Sequence, residues 1–511
     1  MKLSISLSAL LAGLFLVSCT EQKEQEKPNI ILIAVDDMGW SDLGCYGSEI
    51  STPNIDKLAD NGMRFSNFYN TSKCFPSRAS LLTGVYAQDC GYDKTATGPI
   101  VNAVTIGEVL QGAGYLTYWS GKHHGKENPY SRGFNHYFGI KDGAFNHFNP
   151  GNQREGEPKP AQKRKRKWGI DSVIHHPYTP KEKDFYSTDY FTNYALDYLD
   201  ESKEENKPFF LYLAYTAPHD PLMAWTEDIA KYKGKYDLGY EAIRKKRYKK
   251  QLRLGIIDST YQLPKPTYTP WDSLTTDQKK HEASKMEIYA AMIDRLDQNI
   301  GRLLKHIDNL GFADNTIILF VSDNGASAEV VELKDDDDSA PLGTMARWTS
   351  LGKDWANVSN TPFRLYKNYS YEGGINTPCI AYWPGKIEPN SFSDYAGHFI
   401  DFMATFVDMT GAEYPQVYNG EQITPLRGKS LLPVFANHQT ERTEPLFWEW
   451  QNGQAMRLAN WKIVRNDNVD DWSLYDIEND PTEMRDIAKT NRNVVEKLDS
   501  MYQIWNSQYR E

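Results

Sequence analysis

Apolar residues gather in a few unbroken runs, and these set the framework of the chain. Asn29 to Val35 reads NIILIAV, Phe209 to Tyr215 reads FFLYLAY, and Thr316 to Val321 reads TIILFV. Runs of this length without polar alternation predict strands covered on both faces, as in a parallel sheet. Pro378 to Trp383 predicts a fourth strand. A different period marks Met286 to Leu310. There Ile288, Ala291, Met292, Leu296, Ile300, Leu303 and Leu304 recur at helical spacing, and Gly311 ends the pattern. Thr52-Pro53 predicts another helix start, with Thr52 as cap and Pro53 in the first turn. Helices alternating with buried strands imply an α/β fold, with a large, mostly parallel or mixed central sheet flanked by helices.

After about Gly411 the pattern changes to short Trp- and Tyr-rich runs: Leu446 to Trp450, Trp461 to Val464, and Trp472 to Tyr475. A helical stretch from Asn493 to Trp505 follows. These predict a smaller antiparallel sheet closed by a helix. The expected organisation is a main domain over residues 28–411 and a C-terminal subdomain over residues 412–511.

The first residues stand apart. Lys2 precedes an apolar run from Leu7 to Val17 that is too short to span a bilayer. It ends in Leu16-Val17-Ser18-Cys19, which resembles the lipobox of bacterial lipoproteins. The resemblance implies a signal peptide over residues 1–19, lipidation of Cys19 after cleavage, and a polar tether over residues 20–27. The expected location is then the bacterial periplasm, the outer membrane or the cell surface, with membrane contact through the lipid anchor alone.

The chain carries 57 basic and 68 acidic residues, a net charge of -11. That balance argues against nucleic acid as a partner, yet one local positive pocket can still take an anionic substrate. Two basic runs interrupt it, Lys163 to Lys167 and Arg244 to Arg253. Either could meet an anionic polymer, although a solvated loop and a solvated helix face account for them. Cys45, Cys74, Cys90 and Cys379 are too few and too scattered for a disulfide framework.

Candidate chemistry follows directly after the strands. Asp36-Asp37 closes the first apolar run, and two adjacent carboxylates beside an apolar strand end need a partner. A hard cation such as Ca²⁺ or Mg²⁺ would supply one. Ser322-Asp323-Asn324-Gly325 closes the third run and adds two oxygen ligands, with Gly325 allowing a sharp turn. Ligands sit at the carboxyl ends of strands in such sheets, so both clusters belong at one edge. An all-oxygen set disfavours zinc and copper. Cys74-Phe75-Pro76-Ser77-Arg78 runs into Ala79-Ser80-Leu81-Leu82-Thr83-Gly84. Here a cysteine stands at the head of a short helix whose amides can hold an anion, with Arg78 one turn on. On the residues alone it is a thiolate nucleophile or a buried structural cysteine.

That eleven-residue segment closely resembles the signature of the sulfatases, Cys-x-Pro-Ser-Arg followed by Ala-Ser-Leu-Leu-Thr-Gly. Further matches lie in the family's order: Gly121-Lys122-His123-His124, Ala217-Pro218-His219-Asp220-Pro221, and Lys367 ahead of Glu372-Gly373-Gly374. The sequence departs at His123, where the family commonly has Trp. The resemblance implies that a maturation enzyme oxidises Cys74 to formylglycine. It also implies that Asp36, Asp37, Asp323 and Asn324 hold Ca²⁺, which residue 74 also touches. Arg78, Lys122 and Lys367 would then stabilise the sulfuryl oxygens, His219 would protonate the leaving alcohol, and His124 would assist release. The implied substrate is a sulfated small molecule or carbohydrate. Alternatives are a phosphodiesterase or phosphonate monoester hydrolase of the same superfamily, and a non-catalytic lipoprotein that binds sulfated glycans.

Overall fold

A computed structural model describes residues 27–95, 98–333, 337–438, 441–451, 453–466 and 471–509. The expected signal peptide, Cys19 and all of the tether but Lys27 lie outside these residues. Ten strands form one sheet: β1 (Asn29–Asp36), β2 (Met63–Phe65), β3 (Leu116–Gly121), β4 (His136–Ile140), β5 (Trp168–Ile170), β6 (Val173–His175), β7 (Phe209–Pro218), β8 (Thr316–Ser322), β9 (Cys379–Tyr382) and β10 (Ser391–Ser393). Their spatial order is β10-β2-β9-β8-β1-β7-β3-β4-β5-β6. The centre is parallel, from β8 through β1, β7 and β3 to β4. The strand expected at Pro378 to Trp383 is present as β9, but it runs antiparallel to β8. The sheet is therefore mixed.

The unbroken apolar runs are explained by cover on both faces. Ile31, Ile33 and Val35 of β1 point into one core, while Ile30, Leu32 and Ala34 point into another. Burying each such Ile or Leu contributes about 1.5–3 kcal/mol, so the central strands anchor both layers. Helices Ser187–Glu205 and Thr276–Asn309 cover the first face through Phe191, Leu199, Met292 and Leu296. Asp401–Thr410 covers the second through Phe402, Met403 and Phe406. The long helix begins ten residues before the expected Met286, where Thr275 and Gln278 form a capping box. Thr52 does not cap the helix Pro53–Asp60; its hydroxyl accepts from the Gly44 amide at 2.8 Å and donates to Asp56 at 2.9 Å.

Four antiparallel strands in sequential order, β11 (Leu446–Trp450), β12 (Gly453–Leu458), β13 (Trp461–Arg465) and β14 (Ser473–Asp476), make the small sheet. The helix Arg492–Ser507 packs on it through Leu498, Tyr502 and Trp505. Cys45, Cys74, Cys90 and Cys379 are all free and buried. Among the described residues, no helix is long and apolar enough to cross a membrane.

Candidate active site

The site is assembled at the carboxyl edge of the parallel strands, where β1, β8, β3 and β7 deliver Asp36-Asp37, Asp323-Asn324, Lys122 and His219. Asp37 turns away from β1 with φ +64°, a left-handed conformation that Asp tolerates better than most residues. Gly121, at φ +120°, ends β3 so close to β7 that a Cβ would stand 1.9 Å from the Ala214 carbonyl oxygen. Only glycine lets Lys122 follow there. The helix α1 (Cys74–Thr83) meets this edge with its amino end, and all ten of its residues are buried.

Opposite charges interlock. Lys122 Nζ donates to Asp36 Oδ2 at 2.5 Å. Lys367 Nζ donates to both Asp37 oxygens, at 2.8 and 3.0 Å, and Asn324 Nδ2 donates to Asp37 Oδ1 at 2.6 Å. Arg78 Nε donates to Asp323 Oδ2 at 2.7 Å, and Nη1 donates to the Lys122 carbonyl at 3.3 Å. Burial opposes the Asp36 charge, but Lys122, His219 and Arg78 outweigh it and hold that carboxyl below the usual range. Asp323 is pushed upward, by burial first and then by Asp36. Lys367 is held well above the ordinary lysine range: burial works against its charge, and Asp37, Cys74 and Glu329 prevail.

These pairings are incomplete. Asp36 Oδ1, Asn324 Oδ1 and Arg78 Nη2 are buried without a hydrogen-bond partner among the described residues. Asp36, Asp37 and His219 each present a ligand atom, all within 4.8 Å of one another. Buried oxygens left without donors, next to several carboxylates, are what a hard cation would satisfy. The residues present therefore fit such an ion. Of the four expected ligands, Asp36 and Asp37 belong to this group, Asn324 contacts Asp37, and Asp323 is held by Arg78 and the Asp37 amide, while His219 Nε2 lies beside the carboxylates.

Cys74 is 1% exposed. Its thiol is pushed above the ordinary value by burial, against the pull of Lys122, Lys367 and Lys73. A protonated thiol is a poor nucleophile. His219 Nδ1 donates to the Asp220 carbonyl at 2.7 Å, which leaves Nε2 as the titrating nitrogen, 3.4 Å from Asp37. Burial lowers the His219 pKa, with Asp37 opposing. His124 has φ +61°, an unpartnered Nδ1, and a pKa driven well below the ordinary value by burial and then Lys122.

Two supporting residues escaped the sequence reading. Glu329 bridges Lys73 at 2.6 Å and Lys367 at 3.2 Å. His147 takes a hydrogen bond from Ser187 at Nδ1 (2.8 Å) and donates from Nε2 to the His219 carbonyl at 3.1 Å. Neither stands in a motif, and their partners lie far away in sequence, so no local signal marks them. Beside Lys367 a cavity of about 590 Å³ opens, lined by Tyr366, Tyr369, Gln451 and Asn466 from both parts of the chain.

The sulfatase family model matches residues 28–412, and the model for the C-terminal part of N-sulphoglucosamine sulphohydrolase matches residues 363–507. An uncharacterised sulfatase of Schizosaccharomyces pombe is 34% identical over 536 residues, covering 96% of this chain and 95% of its own. The arylsulfatase of Klebsiella aerogenes is 32% identical over 475 residues, covering 85% and 98%. Among solved structures, Ps i-CgsB in complex with k-i-k-neocarrahexaose aligns with a TM-score of 0.69 at 26% identity, covering 94% of this chain and 93% of that one. A fold that brings the signature cysteine, the strand-end carboxylates and the basic residues to one point agrees with those matches, and the chain belongs to the sulfatase family.

Proposed function

We propose that this protein hydrolyses a sulfate ester on a carbohydrate, with residue 74 as the reacting position. The observation that carries this reading is a buried Cys74, ill-suited to act as a thiolate, set among Arg78, Lys122 and Lys367 beside unsatisfied metal-type oxygens. Formylglycine, formed from Cys74 by a separate maturation enzyme, supplies a hydrated aldehyde with one nucleophilic hydroxyl and a second through which sulfate is released. Asp36, Asp37, Asp323 and Asn324 would hold the cation. Ca²⁺ suits this oxygen set best and Mg²⁺ next, and the ion supplies positive charge that polarises a sulfate oxygen.

The chain's own groups do the rest. Arg78 is fixed by Asp323 and by the Lys122 carbonyl, so its Nη2, which has no hydrogen-bond partner among the described residues and lies 4.0 Å from Asp36, is preoriented for a sulfuryl oxygen. Lys122 and Lys367 add positive charge where the transferring group becomes more negative. His219, with Nδ1 fixed on a carbonyl, protonates the departing alcohol from Nε2; burial makes its imidazolium the stronger acid. His124, neutral and with Nδ1 free of partners, takes the proton from residue 74 as sulfate leaves.

A carbohydrate substrate is supported by the cavity beside Lys367, where tyrosines and side-chain amides stand among charged groups such as Lys285, Glu329 and Lys353. The names of the matched C-terminal model and of the neocarrahexaose complex agree with it. The deciding experiment is peptide mass spectrometry over residue 74, on protein made with a formylglycine-generating partner, alongside an aryl sulfate assay. Conversion with sulfate release is expected. Turnover by unconverted protein would overturn the mechanism, and conversion with phosphonate monoester cleavage alone would favour the phosphoryl alternative. We also infer export and anchoring through Cys19, from residues 1–19; fatty-acid labelling that persists in Cys19→Ala would refute it.

A further inference from the structure

The two basic runs of this acidic chain are treated differently by the fold. In the helix Gly239–Leu254, Arg247 is buried between Asp42 at 2.6 Å and Glu49 at 2.8 Å, and Arg244 is buried against the Pro264 carbonyl. Lys245 on the exposed face pairs with Glu241 at 2.9 Å. That run is partly neutralised and partly structural, so it is not the wholly solvated face that its composition predicts.

The run from Lys163 to Lys167 is not neutralised. Lys163, Arg164, Lys165 and Lys167 are exposed, and among the described residues none of the five side chains forms an ion pair with a carboxylate. Lys165 donates instead to Asn152 Oδ1 at 2.5 Å, and Arg166 to the Ala144 carbonyl at 2.9 Å. The crowding is felt nearby. Lys141 is lowered by burial and then by Lys167, and Arg166 by burial and then by Arg164, with the Asp142 charge opposing in both.

This run is also tied to the reacting site. The Lys141 amide donates to the Lys167 carbonyl at 3.0 Å, and the Lys167 amide donates to Asp142 Oδ2 at 2.8 Å. With the Arg166 bond to Ala144, these contacts hold both ends of the segment Lys141-Asp142-Gly143-Ala144. Gly143 lies against the His124 ring, where a Cβ would stand 3.4 Å from Nε2. One short segment thus separates an unpaired cationic strip from an imidazole of the site.

We propose that Lys163–Lys167 binds further anionic groups of the substrate, which is a polyanionic sulfated polysaccharide rather than a singly charged sugar. This rests on the sulfate-ester reading above. A chain of net charge -11 repels an extended polyanion over most of its surface. A strip of four exposed cations beside the site offsets that repulsion where the polymer must enter.

The test compares two full-length, matured variants that each lose four exposed charges: K163S/R164S/K165S/K167S in the loop and K245S/K246S/K249S/R253S in the helix. Hydrolysis of p-nitrophenyl sulfate is measured with increasing dextran sulfate. The polymer is expected to compete in the wild type and in the helix variant. In the loop variant its inhibition constant should rise by about tenfold or more, with a shallower salt dependence and unchanged kcat/KM for the aryl ester. Equal affinity in the wild type and the loop variant would overturn the proposal, as would equal losses in both variants or polymer binding that does not compete. Loss of binding to phosphatidylglycerol vesicles, with dextran sulfate competition intact, would reassign the strip to a membrane surface. A wild type inert toward the aryl ester would instead count against the sulfate-ester reading, and anisotropy with labelled dextran sulfate would still test the loop.

Discussion

Among the buried charge clusters of the described residues, two differ instructively in how completely they are satisfied. In one, Lys462 from β13 donates to Glu372 at 2.7 Å and to Glu483 at 2.8 Å. The remaining Glu372 oxygen accepts from Tyr69 and Asn376, and the remaining Glu483 oxygen from the Glu372 amide. Every oxygen is used, and the cluster fastens the small sheet to the Glu-Gly-Gly turn of the main domain. In the other, Asp36, Asn324 and Arg78 each keep a buried atom without a hydrogen-bond partner among the described residues, Asp36 Oδ1 and Arg78 Nη2 facing each other only at 4.0 Å. Desolvation is costly for both, but only the second leaves valences to spend on something absent from the chain. Here the finished cluster is a fastening and the unfinished one a candidate site.

That distinction can be broken or sharpened by experiment, from the largest effect downward. Cys74→Ala should reduce aryl sulfate turnover to background while the circular dichroism spectrum is retained. Lys462→Met strands two buried carboxylates and should cost about 3–5 kcal/mol in urea unfolding. Adding Glu372→Gln and Glu483→Gln should recover much of that loss, because the stranded charges go with them. Lys367→Ala should lower kcat/KM by about 10²–10³-fold with a smaller effect on stability. Calcium at a hundredfold excess over its Kd should stabilise the chelated protein by about 2.7 kcal/mol, and Asp36→Asn should abolish this gain. Lys245→Ser, on an exposed helix face, should change stability by no more than about 0.5 kcal/mol. If Lys462→Met proved harmless and calcium had no effect on melting, completeness of partnering would not separate the two clusters.

What the sequence made legible follows from the same physics. β1, β7 and β8 announced themselves because both faces are covered, so nothing polar interrupts them. The polar ends of β1 and β8 then stood out as candidate ligands, whereas His219 beyond β7 came only from the family resemblance. β3 reads LTYWSG and was missed: Thr117 and Ser120 are buried, but each donates to a carbonyl, Gly133 and Phe191, at 2.7 Å. Satisfied hydroxyls hide a strand from any search for apolar runs. The first turns of Thr276–Asn309 were missed for the opposite reason, because they are mostly exposed and carry no apolar stripe. The motif residues Cys74, Lys122, His219 and Lys367 do converge. Their supports do not show in sequence, since Glu329 and His147 act through contacts that only the fold creates.

The placement of β1 bears on how the chain is assembled. This strand, made before either of its partners, lies at the middle of the sheet, and Asn29 meets Phe209 at a separation of 180 residues and Thr316 at 287. Until both partners exist, a strand of eight residues buried in the finished fold has at least one bare edge. Such long-range pairing is slow to form and prone to aggregation while it waits. The nascent chain thus has a long vulnerable period before its central sheet closes. During that same period residue 74, 1% exposed in the finished fold, would be open to the maturation enzyme that the proposed function calls for.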